Sequence, residues 1–441
     1  MMKFNLFSDR SDKPCFAKDE SGAVTVLGLF MFIIMAMVGA TALDYSNLVA
    51  ARTQLQVAAD LAAHGALYNR ETNDAATAKS KAIELATYGM PNSRFADVLD
   101  VDNIAFGTWD YDTRIFTRDA SSRSAVMVTT SRLAEKLNSV ESYLFKLVGI
   151  DDFDVATAAV FTTYRPACFR EGFVADGVVD IQSNNNYSKG FCIHSNTYVS
   201  VNQNNTYEAG TVVSMPDENQ IDLPASGFDK NAGLEDALRS AAYRLRIVNR
   251  IDALITGLST ADPLYTPDYI KSPTPIYLSG KKLDETDFTK GRIHLLTCSG
   301  GRATISAASP IREVVLVTNC EIKFGQGTVL EDVVMATSNT GLKSFNAPAA
   351  LQIGRDDNCA TSGGAQLVTK GGMNFAADLS VYGGQLIAEK DIEFSANADG
   401  VEGASFISGT TISGTSNMNM GFCNGSGMED NFEADYFRLA G

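Results

Sequence analysis

The rhythm of hydrophobic and polar positions changes three times along the chain. From Ala23 to Leu43 no residue is charged. At the helical rise of about 1.5 Å per residue this run spans roughly 30 Å, the hydrocarbon thickness of a bilayer. From Asp44 onward the pattern turns wet and alanine-rich but keeps a helical beat: Leu48, Ala51, Leu55, Ala58, Ala62 and Ala66 recur at steps of three and four. One continuous helix over 21–70 is therefore predicted to leave a membrane and continue into water. A stripe of small side chains lets helices approach closely. It predicts either packing against the protein's own next domain or self-association through the Ala-rich helix.

Residues 71–167 read as a small α+β module. Ala75 to Gly89 is helical, with Ala78, Ala82, Leu85 and Ala86 on one face and Gly89-Met90-Pro91 as the stop. Strand-like runs follow at 101–109, 115–116, 125–130 and 155–163. Between the last two, the spacing of Leu133, Leu137, Val140, Leu144 and Leu147 predicts a helix over 133–148.

The third rhythm occupies 168–425. Val178-Val179-Asp180-Ile181 is followed twenty residues later by Tyr198-Val199-Ser200-Val201, and Phe191-Cys192-Ile193 by Thr211-Val212-Val213. Paired short strands then recur roughly every 19 residues, near 314–324, 333–345, 366–375, 385–394 and 406–413, with one longer step between 336 and 366. Such a period predicts a parallel β-solenoid (β-helix), in which stacked coils bury a continuous Phe, Ile, Leu and Val interior. An antiparallel sandwich is the alternative, since strands every 8–12 residues also suit it. A helical insertion at about 231–260 interrupts the repeat. Its apolar stripe is Leu234, Leu238, Ala241, Leu245, Val248, Ile251, Ile255 and Leu258, and it is placed to cover an open end or a face of the coils. Residues 426–441 form a C-terminal tail. The predicted fold class is thus membrane-anchored and mainly β: a transmembrane helix, a small α+β module, then the solenoid.

Composition sharpens the picture in two places. The formal net charge of −16 argues against nucleic acid and anionic surfaces as partners, because a phosphate backbone repels such a chain. Of seven cysteines, Cys15 precedes the apolar run, and Cys168, Cys192, Cys298, Cys320, Cys359 and Cys423 follow it. An even number on one side suits an oxidising compartment. Six cysteines allow fifteen pairings; sequential pairing is the expectation. Lys3, Arg10, Lys13 and Lys18 precede the run and only Arg52 closely follows it, so residues 1–20 are expected to stay in the cytoplasm with the bulk periplasmic. The run is too long for a signal-peptide h-region, although Ala40-Thr41-Ala42 resembles a cleavage site.

One stretch also resembles a known family. Glu20-Ser21-Gly22-Ala23-Val24, the apolar run, Asp44, and Arg52-Thr53-Gln54-Leu55-Gln56-Val57-Ala58-Ala59-Asp60 resemble the N-terminal segment of TadG-like proteins of the bacterial Tad (Flp) pilus-assembly system. Gly22, Asp44, Arg52, Leu55, Gln56, Ala59 and Asp60 carry the resemblance. It implies an inner-membrane assembly component whose partners are membrane lipid and other Tad pilus proteins. Prepilin-like relatives carry Glu five residues after the processing Gly. Here that position is Leu27, which favours a permanent anchor over peptidase processing.

Catalytic chemistry is sparse. Neither GxSxG, HExxH nor a P-loop occurs. His64, His194 and His294 are scattered and read as structural. Asp97, Asp100, Asp102, Asp110 and Asp112 lack EF-hand spacing and read as a solvated edge. Asp378-Leu379-Ser380-Val381-Tyr382 only half matches the Asp-x-Ser-x-Ser metal site that some family members carry. Asp356-Asp357 and Glu389/Asp391/Glu393 are the carboxylates a glycan-processing β-helix enzyme would need. The expectation is a non-enzymatic pilus-assembly component without cofactor or metal. The alternatives are an envelope-exposed adhesion or binding module and, further off, a β-helix glycan-processing enzyme.

Overall fold

The computed structural model describes residues 21–414 and 416–440; the expectations for residues 1–20, Cys15 included, lie outside them. The chain forms two compact units, one of residues up to Tyr164 together with Phe437 onward, the other Arg165–Tyr436.

The first unit is built on α1, a single 50-residue helix over Ser21–Arg70. It is long and apolar enough to cross a membrane by length and composition, and none of its apolar window is buried within the protein. Leu29, Phe30, Phe32, Ile34, Met35 and Val38 are all more than half exposed. The wet half is the opposite. Ala51, Leu55, Ala58, Ala59, Ala62, Ala63, Ala66 and Leu67 are at most 4% exposed. They pack against α2 (Ala75–Gly89), through Ala78, Ala82 and Ala86, and against Ile104, Phe106, Val126, Val128 and Ala159 of a sheet. Small residues make this close approach feasible: a Cβ at Gly65 would run into the Leu85 side chain. The alanine stripe is therefore spent inside this unit. Asp74 caps α2 by accepting from the Thr77 amide at 2.7 Å. The sheet is antiparallel where its registers are defined, with Ile115–Arg118, Ile104–Asp110, Ala125–Arg132 and Val155–Tyr164 in that order and Tyr436–Leu439 as a fifth strand.

The helix expected over 133–148 is absent. In its place are 3-10 turns at Ala134–Lys136 and Phe145–Val148, and a two-residue pairing of Val140–Glu141 with Asp152–Phe153. Polar side chains outbid the helix for the backbone. Asn138 Oδ1 accepts the Leu133 amide, Arg132 donates to the carbonyls of Asn138 and Ser139, and Leu137 sits in the left-handed region at φ 56°.

The second unit is a 25-stranded sheet whose pairings are parallel throughout the registers defined. Three ladders run through it. In the first, Leu316, Met335, Leu367, Leu386, Phe406, Phe173, Ile193 and Val213 stand side by side on successive strands. In the second the row is Ala303, Ile322, Phe345, Met373, Ile392, Ile412, Val179 and Val199. In the third it is Ile311, Leu330, Ile353, Val381, Val401, Met420, Tyr187 and Tyr207. All three rows join one buried core. Stacked rings recur in it: Tyr187 on Tyr207 at 5.0 Å and Phe324 on Phe345 at 6.0 Å.

The order of strands is not the order of the chain. Gly172–Ala175, the first strand of this unit, lies between Cys192–Ser195 and Ser405–Ser408. The chain thus enters the ladder in its middle and runs to one end at Leu238–Ser240. It restarts at the other end with Ser272–Leu278 and returns until residues 405–408 meet residues 172–175. The first ladder holds eleven strands, so at about 4.8 Å per strand its ends are roughly 48 Å apart. Residues 241–271 connect them. Here the helical insertion expected at about 231–260 is largely overturned: Leu234–Ala237 is one helical turn, Leu238–Ser240 is a strand on Val213–Met215, and only Ile251–Thr260 is a regular helix. An open sheet edge at 213–215 claims the backbone of 238–240, and tertiary pairing wins over helical spacing. The crossing helix Ile251–Thr260 lays Ile251, Leu254 and Leu258 on the outward row of Val315, Val317, Val334, Ala336 and Val368, which covers that face.

Buried asparagines turn one corner. The Asn185 amide donates to Asn205 Oδ1, the Asn205 amide to Asn231 Oδ1, and the Met418 amide to Asn185 Oδ1. At 2%, 1% and 1% exposure, Asn185, Asn205 and Asn231 satisfy backbone donors that the turn would otherwise orphan. Three disulfides close the unit: Cys168–Cys192, Cys298–Cys320 and Cys359–Cys423.

Candidate functional site

The residues that carry the family resemblance converge on how α1 is held. Asp44, the first residue past the apolar run, is 1% exposed. Its carboxylate accepts the amides of Tyr143, Leu144 and Phe145 at 2.5, 3.0 and 2.8 Å. It thereby caps the 3-10 turn Phe145–Val148, where anionic groups at an N-terminus are favoured. Three turns further along, Leu55 is fully buried and its carbonyl accepts the Thr130 hydroxyl at 2.9 Å. Gln56 Nε2 bridges Asp60 Oδ1 at 2.8 Å and the Ala158 carbonyl at 3.3 Å. Ala59 is fully buried against the sheet. Arg52 and Gly22 are exposed. Leu55, Gln56 and Ala59 therefore clamp the helix to its own sheet, Asp44 holds the 143–145 turn and Asp60 braces Gln56, while Arg52 and Gly22 are exposed.

Beside this clamp is a cleft of about 420 Å³ lined by Asn47, Gln54, Arg94, Phe95, Arg132 and Tyr143 among others. Asn47 donates to the Glu141 carbonyl at 2.9 Å. The Arg132 guanidinium is held below its usual range first by burial and then by the nearby charge of Arg94. Both guanidiniums lie over the Phe95 ring, at 5.7 and 5.1 Å.

In the second unit burial and the charges of Asp332, Asp268 and Glu429 shift the Asp430 carboxyl up, a gathering of acids that the sequence does not single out. Asp357 pairs with Arg355 at 2.7 Å and Asp356 is exposed. Glu393 accepts from Asn374 at 2.7 Å and Asp391 from the Thr410 hydroxyl at 2.5 Å, each within its own strand-to-strand bond. Glu389 is shifted up by partial burial and stands near Lys370, which pairs with Asp252 at 2.8 Å. Leu379 of the 378–382 stretch is buried in the core and Asp378 has φ 50°. In the first unit, Asp110 accepts two amides of its own hairpin turn and Asp100 pairs with Lys136, so the acids of 97–112 serve separate ends.

The histidines are structural in placement. His194 bonds Ser214 at 2.8 Å and Asn196 at 3.0 Å, and burial lowers its pKa. His64 packs edge-on to Phe161 and Phe437. His294 accepts the Thr289 amide at Nε2, but its buried Nδ1 has no hydrogen-bond partner, which the sequence does not foreshadow. Among the described residues one group could hold a metal by proximity, Cys359, Glu402 and Cys423. The two sulfurs are bonded to each other, which removes both as ligands.

A long apolar helix clamped to a small α+β unit is followed along the chain by a large parallel β unit. The chain belongs to the family described as "Domain of unknown function (DUF7867)", whose model matches residues 172–424, more than half of its length. A second family model, Flp pilus-assembly TadE/G-like, matches residues 22–76. No curated protein matches the chain. The first match covers the three ladders and the crossing segment. The second covers α1 with every residue of the clamp on that helix, and ends at the start of α2.

Proposed function

We propose that the protein is a non-enzymatic, inner-membrane-anchored assembly component of a Tad (Flp)-type pilus, with a periplasmic parallel β-solenoid as its cargo. The observation that carries the reading is the coincidence of the TadE/G-like match at 22–76 with the apolar helix and its clamp. Its natural partners are the bilayer and other pilus components. Exposure of the apolar half of α1 supports the bilayer, since so long an apolar surface is not tolerated in water. Four basic residues before the run against Arg52 after it support a cytoplasmic N-terminus, and three disulfides beyond it support an oxidising compartment. Three parallel ladders sharing one core, with a repeat near 20 residues, support the solenoid. The separate partners of Asp357, Asp391 and Glu393 support a scaffold role over glycan processing by these acids.

The test is piliation. Deletion of the gene is expected to abolish filaments, and the wild-type chain to restore them. A chain in which residues 1–43 are replaced by a cleavable signal peptide, so that both units are exported but untethered, is expected not to restore them. Filaments in the deletion strain, or full rescue by the untethered chain, would refute the assignment.

A further inference from the structure

One patch of exposed apolar side chains is unexplained by the clamp that holds it. The hairpin closed by Val140–Glu141 and Asp152–Phe153 carries Tyr143, Leu147, Val148 and Ile150 at 65%, 84%, 69% and 44% exposure. Lys146 is exposed among them. A water-facing hairpin tip is ordinarily polar. The amides of Tyr143, Leu144 and Phe145, which lead into its turn Phe145–Val148, donate to the Asp44 carboxylate, and Asp44 follows directly on Leu43, the last residue of the apolar run. Leu147 is two residues from Phe145, so its Cα lies within about 7 Å of a backbone bonded at the level of Asp44. The interfacial zone beyond the hydrocarbon is itself about 5–7 Å deep on each side. On α1 the neighbouring Leu43 and Tyr45 are 58% and 66% exposed, so apolar surface is exposed both on the turn and on the helix beside the Asp44 carboxylate that joins them.

We propose that the 143–150 turn is a second membrane contact, seated in the leaflet at the outer end of α1. Leu147 and Val148 enter the boundary between headgroups and acyl chains, Tyr143 lies at the headgroup level, and Lys146 reaches lipid phosphate. This rests on the reading of α1 as a bilayer span. It gives Asp44 a role beyond stability: the carboxylate fixes the depth at which the turn meets the lipid and, with it, the tilt of the first unit on the membrane.

The test uses the full chain in phosphatidylcholine vesicles, with and without acyl-brominated lipid. The single tryptophan, Trp109, is replaced by Phe, and one reporter is introduced at a time. Phe30→Trp reports α1, Leu147→Trp the turn, and Tyr88→Trp an exposed position on α2. Phe30→Trp and Leu147→Trp are expected to lose at least about half of their emission to bromine, and Tyr88→Trp almost none. Quenching at Phe30→Trp without quenching at Leu147→Trp overturns the second contact and leaves the anchor intact. Absence of quenching at both overturns the anchor and the contact with it. Quenching of all three reporters also overturns the proposal, because the turn would then be no closer to lipid than the rest of the unit.

Discussion

Phe406 and Phe173 are 233 residues apart in the chain and neighbours in the ladder, and the seam between them is the sharpest point at which the fold can be tested. Phe406 is fully buried, with its ring 5.1 Å from Phe173 and 4.9 Å from Phe394. Phe406→Ala removes a core ring and leaves a cavity that flanking strands, fixed by ladder hydrogen bonds, cannot close. The expected cost is about 3–5 kcal/mol, toward the upper end because two aromatic contacts go as well. The decisive measurement is the double-mutant cycle with Phe173→Ala. Direct contact predicts a coupling of about 0.5–1.5 kcal/mol. Phe406→Ala with Phe324→Ala is the control; Phe324 stacks on Phe345 elsewhere in the core, and the pair is expected to be additive. Urea titration read by hydrogen exchange of peptides from 165–436 isolates the second unit, while Trp109 emission reports the first. If 173 and 406 prove additive, the chain does not close on its own beginning and the order of strands given above is wrong.

Three further outcomes follow. Non-reducing peptide mapping should yield the linked pairs 168–192, 298–320 and 359–423. Removing the last should cost most, because its separation of 64 residues, against 24 and 22, gives about 4.3 kcal/mol in the chain-entropy estimate against about 3.4 for the others. Asp44→Ala should raise the exchange rates of the Tyr143, Leu144 and Phe145 amides at least tenfold while leaving the second unit unchanged; unchanged protection would mean that the carboxylate does not hold the turn. Burial raises the Glu171 carboxyl above its ordinary value despite the amides of Cys423 and Gly425 donating to it. The folded state therefore holds the proton more tightly, and this residue's contribution to stability falls as pH climbs from the ordinary value to the raised one. Thermal melts across that window should show a shallower decline in Glu171→Gln than in the wild type.

Much of this was legible, but unevenly, and the reasons are local. The apolar run and the alanine stripe declare themselves because one helix carries both periods in one stretch. The repeat near 20 residues was visible because Val179 and Val199, or Cys192 and Val212, are true register partners. The longer step after 336 also has a cause: Phe345–Ala347 and Gln352–Ile353 are followed by the irregular 354–364 loop that carries Cys359. Two helices were misread where apolar spacing was right and the backbone had other partners. Asn138, Arg132 and Asp44 claim the donors and acceptors of 133–145, and the edge at 213–215 claims 238–240. Of the clamp residues, Leu55 lies on the helical stripe and Asp44 ends the apolar run, while Gln56, Ala59 and Asp60 were singled out by resemblance. What they do needed the partner amides of 143–145, which lie 99 to 101 positions away. The entry of the chain into mid-ladder had no local signal at all, because a period says which residues face inward and nothing about which strand lies next to which.

That mid-ladder entry has a consequence for how the protein is made. As the chain leaves the synthesis machinery, strands 172–175, 192–195 and 212–215 can stack at once, but 172–175 keeps one open edge until 405–408 arrives. Strand Gln385–Ala388 acquires the matching open edge shortly before. Unpaired edges of this kind template association with other chains. Contacts of such high sequence separation also form slowly, because loop closure must precede any gain. The seam is therefore expected to form late and to be the point of greatest hazard in the ladder. A chain ending at Gly403 would keep every residue of the helix, the clamp, the crossing segment and ten of the eleven strands of the first ladder. It would nevertheless expose both edges for good, one facing the other across a gap one strand wide. Such a chain is expected to be recovered as oligomers or aggregate, and its 172–175 amides to exchange freely in any monomer that survives. A soluble monomer with those amides protected would show that the edge does not depend on 405–408, and the seam would lose its place as the closing step.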